Sequence, residues 1–129
     1  VYDMSGGAYE YVAAYVNNGN SNLTNWGKSL VNGEAKTKNV YMPASTDNGT
    51  NNYNQNAGVY GDAVYETSTS GSEYTSWYGV DSYFPYTGYP FFVRGGYYNN
   101  SSNAGIFYFH WDIGDSISHY SFRPVLVAI

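Results

Sequence analysis

No covalent staple is open to this chain, because none of its 129 residues is cysteine. No disulfide, thiolate metal site or cysteine nucleophile can form, so packing and hydrogen bonds alone must hold the fold. The length fits one domain, taken here as residues 1–129. A chain of this size buries roughly two thirds of its unfolded surface, enough for an ordinary core.

That core has to be built from an unusual alphabet. Seventeen Tyr, fifteen Asn and fifteen Gly stand beside only five Lys+Arg and ten Asp+Glu. Charged residues make up 12% of the chain, against about 25% in typical domains, so solubility must rest on hydroxyls and amides. Tyr, Ser, Gly and Asn are also the types that enrich antibody paratopes, where stiff amphipathic rings and adaptable amides make contacts at low entropic cost. Net charge is −5 with no Lys/Arg run, which leaves no basic stripe to neutralise phosphates and argues against a nucleic-acid partner. No stretch of about 20 apolar residues offers a membrane span. No secretory leader is visible and the chain starts at Val1, so it reads as part of a longer protein.

The first segment, residues 1–16, is ambiguous. Ala8, Val12, Tyr15 and Val16 fit a helical face, whereas Tyr9 and Tyr11 alternate about Glu10 as in a strand. Residues 17–25 are polar and turn-rich, and Asn39-Val40-Tyr41-Met42-Pro43 fits a brief extended piece. Residues 46–52 and 67–73 read as solvated loops. Strands are expected at Pro90–Arg94, closed by Gly95-Gly96, at Gly105–Trp111 and at Tyr120–Val127. The Gly105–Trp111 run is apolar at both alternating sets of positions, which predicts a strand buried on one side and covered or binding on the other. Pro124 cannot donate to a ladder, which places it at an edge or irregularity.

Three segments together resemble one family. Tyr2-Asp3-Met4-Ser5-Gly6-Gly7-Ala8-Tyr9-Glu10-Tyr11, Phe92-Val93-Arg94-Gly95-Gly96-Tyr97 and Ser121-Phe122-Arg123-Pro124-Val125-Leu126 resemble, in order and spacing, the Y-D-M-x-G-N-x-W-E-W, R-G-G-S-W and G-F-R-x-V segments of formylglycine-generating-enzyme-like, C-type-lectin-related domains. The resemblance implies an α+β, loop-rich and mostly antiparallel lectin-like fold, with residues 1–16 tending to strand. It also implies that the chain begins partway through the family's domain, lacking its N-terminal part. A closer likeness is to non-catalytic bacterial surface proteins with pilin-like N-terminal processing. It rests on Asp3–Val12, Gly61-Asp62-Ala63-Val64-Tyr65-Glu66-Thr67-Ser68, Trp77-Tyr78, Arg94-Gly95-Gly96 and Ala104-Gly105-Ile106-Phe107. The Asn/Tyr-rich stretch from Arg94 to Arg123 is also similar to lectin-fold proteins diversified by retroelements. An extracellular, cell-surface location follows from these likenesses.

Chemistry is tested against the same residues. Formylglycine generation needs cysteine thiolates to hold copper, and this chain has none. The related iron-dependent sulfoxide synthases use a histidine-rich site, whereas only His110 and His119 occur here. A metal-dependent enzyme would have to combine those two with Asp112 or Asp115 at poor spacing. The pairs Asp62/Glu66 and Asp112/Asp115 could serve a glycosidase, yet such pairs arise by chance among ten acids. The expected protein is not an enzyme and needs no cofactor. The resemblance does imply a calcium site through Glu10, although the family's Asn ligand is replaced by Gly7. The competing role for Glu10 is an ion pair with Arg94 or Arg123. Arg94, Gly95, Gly96 and Arg123 are taken as structural, the glycines permitting a tight strand exit.

The expected ligand- or partner-binding face gathers Tyr97, Tyr98, Asn99, Asn100, Asn103, Tyr108, His110, Trp111, Asp112 and His119. Tyr83, Phe84, Tyr86, Tyr89 and Phe91, stiffened by Pro85 and Pro90, form a second aromatic cluster. The expected function is recognition of a protein or glycan on another surface. The alternatives are the head of a pilin-like filament subunit contacting copies of itself and, last, a metal-dependent enzyme. A missing sheet partner would leave an edge inviting pairing with another chain.

Overall fold

A computed structural model of the chain describes residues 7–58, 82–100 and 108–122. Its centre is an eight-residue strand, β1 (Tyr9–Val16). Alternation along β1 sends Tyr9, Tyr11 and Tyr15 to one face and Val12, Ala14 and Val16 to the other. The helical reading of this segment requires the same residues to share one stripe, and two-sided burial decides against it. A short helix α1 (Asn22–Asn25), a second helix α2 (Lys28–Asn32) and a single 3₁₀ turn (Ala35–Thr37) lead to strand β2 (Asn39–Tyr41). Helix α3 (Gly49–Asn56) follows, and then strands β3 (Phe91–Arg94), β4 (Phe109–Asp112) and β5 (Tyr120–Phe122).

The strands form one mixed sheet in the order β2-β1-β3-β4, with β5 also pairing with β1. Its central pairings, β1·β3 and β3·β4, are antiparallel. Two short parallel strands share the other edge of β1, with Tyr120–Phe122 opposite Tyr9–Tyr11 and Asn39–Tyr41 opposite Ala14–Val16. Two strands of three residues thus replace one long edge strand. Between Tyr11 and Tyr15 the register with β3 shifts, and the local bulge lets β1 serve both partners. This is a small α+β domain.

Both faces of the sheet are covered, as the two-sided apolar pattern of β4 requires. On one face Val16, Tyr41, Tyr53, Phe84, Phe92 and Phe109 make the larger core. Phe84, fully buried, sets its edge on Phe92 at 5.1 Å and 90° and on Tyr41 at 5.3 Å and 79°, the edge-to-face geometry that ring quadrupoles favour. On the other face Tyr15, Leu23 and Phe91 pack with Tyr11, Leu30 and Val31.

The polar stretch read as the loop 46–52 instead starts a helix. The Asn48 side chain accepts from the Asn51 N–H at 2.9 Å and caps α3, a device for which Asn is among the best residues. Inside α3, Asn52 is fully buried and its bonds are complete. Its Oδ1 accepts from Ala44 N–H at 2.8 Å, while its Nδ2 donates to Asp47 Oδ1 at 2.6 Å and to the Pro85 carbonyl at 3.0 Å. Asp47 Oδ2 also accepts from Asn18 Nδ2 at 3.0 Å and Thr87 Oγ1 at 2.8 Å. Asn56 donates to the Met42 carbonyl at 2.9 Å. An amide side chain that mimics a peptide group can cross-link strand, helix and loop where an apolar residue cannot. The helix was hidden because two of its three buried positions, Asn52 and Asn56, are polar.

Candidate functional site

Strand β4 sorts the expected binding residues. Its alternation places Phe109 and Trp111 on the Phe92 face, and His110 and Asp112 on the face of Tyr9 and Tyr11. Trp111 nonetheless keeps its ring 4.5 Å from that of His110. Its indole lies against Tyr89 at 4.3 Å and the edge of Tyr86 at 5.8 Å, joining the second aromatic cluster.

On the opposite face the rings converge. His119 stacks on Tyr97 at 4.8 Å and 29°, and Tyr9 meets Tyr97 at 4.9 Å. Tyr120 sets its edge to Tyr9 at 5.3 Å and to Tyr11 at 5.2 Å. Tyr108 is buried, with its hydroxyl 3.3 Å from that of Tyr9 and its ring parallel to His110 at 6.2 Å. Sequence reasoning placed Tyr97, Tyr108, His110 and His119 here but missed Tyr9 and Tyr11. The period-2 pattern about Glu10 is the signal that could have found them.

Asp112 lies beneath this face and braces it. Although 94% buried by the complement of its 6% exposure, it accepts from the Tyr11 and Tyr120 hydroxyls and from Gly114 N–H at 2.8 Å. The Tyr11 hydroxyl proton is shared with the Asp115 carbonyl, 2.7 Å away. Burial, followed by the hydrogen bond to Asp112, holds both phenols well above their usual pKa of about 10. They stay neutral donors through the physiological range. His110 is pushed below its ordinary value by burial, against the opposing pull of the Trp111 carbonyl and of Asp112. Its Nδ1 lies 3.1 Å from that carbonyl, and its ring meets those of Trp111 at 4.5 Å and Tyr83 at 5.4 Å.

Above this base rises the loop after β3. Gly95 and Gly96 have φ of 84° and 74°, left-handed values that glycine adopts without strain, and they turn the chain sharply out of the sheet. The loop is then closed on itself. Tyr97 N–H donates to Asn100 Oδ1 at 2.7 Å, Asn100 N–H to the Tyr97 carbonyl at 2.9 Å, and Tyr98 N–H to the Gly7 carbonyl at 3.1 Å. Asn100 thus spends its oxygen on the loop, while Asn99 is exposed. Tyr98 is 77% exposed, its ring edge-on to Tyr97 at 5.5 Å.

Glu10 and Arg94 are direct cross-strand partners on β1 and β3, and both are half-buried. Desolvation lowers the guanidinium pKa from its ordinary value. Among the described residues no three His, Cys, Asp or Glu side chains converge. Asn103 and Arg123 lie outside the described residues, as do Pro124, most of the Y-D-M segment, the loop 67–73, the Asp62/Glu66 pair, Trp77-Tyr78 and residues 104–107. No helix among the described residues is long and apolar enough to cross a membrane.

No family model, curated protein or solved structure matches this chain.

Proposed function

We propose that this chain is a non-catalytic recognition domain, exposed on a bacterial surface, that contacts a protein or glycan through the Tyr97–His119 face. The observation that carries the reading is Tyr98, an exposed ring held by a hydrogen-bonded loop on a stacked base of Tyr97, His119 and Tyr9. A ring presented in a fixed pose loses little freedom on binding, which is how aromatic anchors yield affinity. The family likeness stated above supports the lectin-like fold and the extracellular site. Binding of the protein to arrayed glycans and surface proteins, compared with its Tyr98→Ala variant, tests the reading. Ligands that bind the two forms equally would sink it.

A second reading draws on a different observation. Trp26, 57% exposed, and Phe122, 77% exposed, flank an apolar groove over Tyr11, Leu30 and Phe91, a surface that suits a neighbouring subunit in a pilin-like filament. Electron microscopy of the native, full-length protein separates the two. Regular filaments establish the subunit, and isolated domains leave the recognition reading standing.

A further inference from the structure

An asparagine followed by glycine is open to attack on its own side chain, because glycine carries nothing that hinders the approach of its backbone nitrogen. The chain has three such steps, Asn18-Gly19, Asn32-Gly33 and Asn48-Gly49, and the fold treats them unequally. Asn18 is held at both ends of its amide. Its Oδ1 accepts from Asn20 N–H at 3.1 Å and its Nδ2 donates to Asp47 Oδ2 at 3.0 Å. Asn48 caps α3, its Oδ1 2.9 Å from the Asn51 N–H. Either amide must leave these partners before it can turn towards the next residue's nitrogen.

Asn32 has no such tether. It is exposed at the last position of α2, and its side chain makes no hydrogen bond among the described residues. The backbone beneath it is weakly held as well. Helix α2 has five residues, no side-chain cap at its start, and an end at Gly33 in extended backbone, φ −66° and ψ 165°, rather than in the left-handed closure that secures many helices. The Gly33 N–H reaches only the Leu30 carbonyl, at 3.2 Å, and Lys38 Nζ already donates to that carbonyl at 3.1 Å. Releasing it therefore leaves no acceptor without a partner. A helix this short opens its last turn readily, and the reaction needs that opening, because helical backbone keeps the Gly33 nitrogen from the Asn32 side chain. Gly33 itself is set by the fold, since a Cβ there would stand 3.2 Å from the Ser29 carbonyl and 3.3 Å from that of Leu30.

We propose that Asn32 is a self-modification site, at which the protein deamidates first. The Gly33 nitrogen bonds to the Asn32 side-chain carbonyl carbon and gives up its proton, the bond from that carbon to the amide nitrogen breaks, and ammonia leaves. Water then opens the cyclic imide at one carbonyl or the other, giving aspartate or its β-linked isomer. The product carries one new negative charge at the C-terminal end of α2, where the helix dipole opposes it. The isomer also lengthens the backbone just ahead of the turn Ala35–Thr37. The site is independent of the Tyr98 face, so either can fail without the other.

The test is a timed incubation of the folded protein in neutral buffer at body temperature, followed by peptide mass spectrometry with fragmentation that separates aspartate from its isomer. The three steps in one molecule serve as mutual controls. Asn32 should convert at least about tenfold faster than Asn18 or Asn48, the factor expected when a tethered amide must first break its hydrogen bonds. In urea the tethers are gone and the three rates should converge. Asn32→Gln keeps an exposed amide but has to close a larger ring, so it should lack most of the acidic species that the wild type accumulates on ion exchange, with unchanged folded spectra. The proposal is overturned if Asn18 or Asn48 keeps pace with Asn32 in the folded chain, or if Asn32 stays intact there while the urea-unfolded chain converts. It is equally overturned if the difference persists in urea, which would trace it to local sequence, or if Asn32→Gln acidifies as fast as the wild type.

Discussion

Two aspartates each organise a region of this charge-poor domain, and they do so with different partners. Asp47 gathers amides and one alcohol, from Asn52, Asn18 and Thr87. Asp112 gathers two phenols and one backbone N–H, from Tyr11, Tyr120 and Gly114. The amides reach onward to the main chain, with Asn52 holding Ala44 and Pro85, and so they fix the path of loops. The phenols reach no further than Asp112 and the Asp115 carbonyl, but their rings are the surface itself. One region is a clamp on backbone and the other a mounting for aromatic rings. In these two regions Asn and Tyr therefore serve separate tasks.

The largest effect should come from the clamp. Asn52→Ala strands the part-buried Ala44 N–H, the buried Pro85 carbonyl and one Asp47 oxygen at once, and should cost about 3 kcal/mol in urea unfolding. A loss below about 1 kcal/mol would mean that water replaces the amide and the clamp is not one. Asp112→Ala should cost less, about 2 kcal/mol, because the Tyr11 hydroxyl keeps the Asp115 carbonyl as acceptor. If Asp112→Ala proves the more damaging of the two, the mounting carries the fold and the ranking of the regions reverses.

How much of this was legible in the chain depended on which residues did the burying. Strand β3 ends as expected at Arg94, and the 109–111 part of the run expected at 105–111 falls in β4, which continues one residue to Asp112, because consecutive apolar residues state burial directly. Asn39–Tyr41 is extended within the piece expected at 39–43. Helix α3 was missed for the opposite reason: its inward positions are Asn52, Tyr53 and Asn56, which read as solvent until Asp47, Ala44, Pro85 and Met42 are brought around them. Site residues followed the same rule. Tyr97 and His119, grouped by the sequence reading, do stack, but the packing of Trp111 on Tyr86 and Tyr89 turns on the pleat of β4, and the role of Asp112 turns on Tyr11, about a hundred residues away in sequence. Long-range hydrogen bonding leaves no mark in a local pattern.

The two regions should also part company in alkali. Tyr11 and Tyr120 have folded pKa values raised above the unfolded value of about 10. Their contribution is fully present below pH 10. It is lost as the pH rises further, because the unfolded chain releases phenolic protons that the folded chain keeps. The urea midpoint should therefore fall between roughly pH 9.5 and 11, and more shallowly in the Tyr11→Phe, Tyr120→Phe double variant, which has no phenol left to ionise at Asp112. Asn52→Ala should keep the wild-type slope, since the clamp has no phenol. Equal slopes in all three proteins would detach the mounting from any special role of these hydroxyls.

The smallest expected effect sharpens the comparison most. Tyr98 stands on the mounting without being part of it. Its ring is 77% exposed and its loop is held by the backbone and by Asn100 rather than by its hydroxyl. Tyr98→Ala removes only the edge contact with Tyr97 and should shift unfolding by no more than about 0.5 kcal/mol, as surface substitutions do. Tyr97→Ala unstacks His119 and Tyr9 together and should cost about 2 kcal/mol, since each aromatic pair adds roughly 1 kcal/mol beyond burial. Adjacent tyrosines with stabilities that differ in this way would mark one as support and the other as a ring kept at the surface for something other than folding. Comparable losses at both would make Tyr98 part of the packing and remove the strongest reason to read this face as a contact surface.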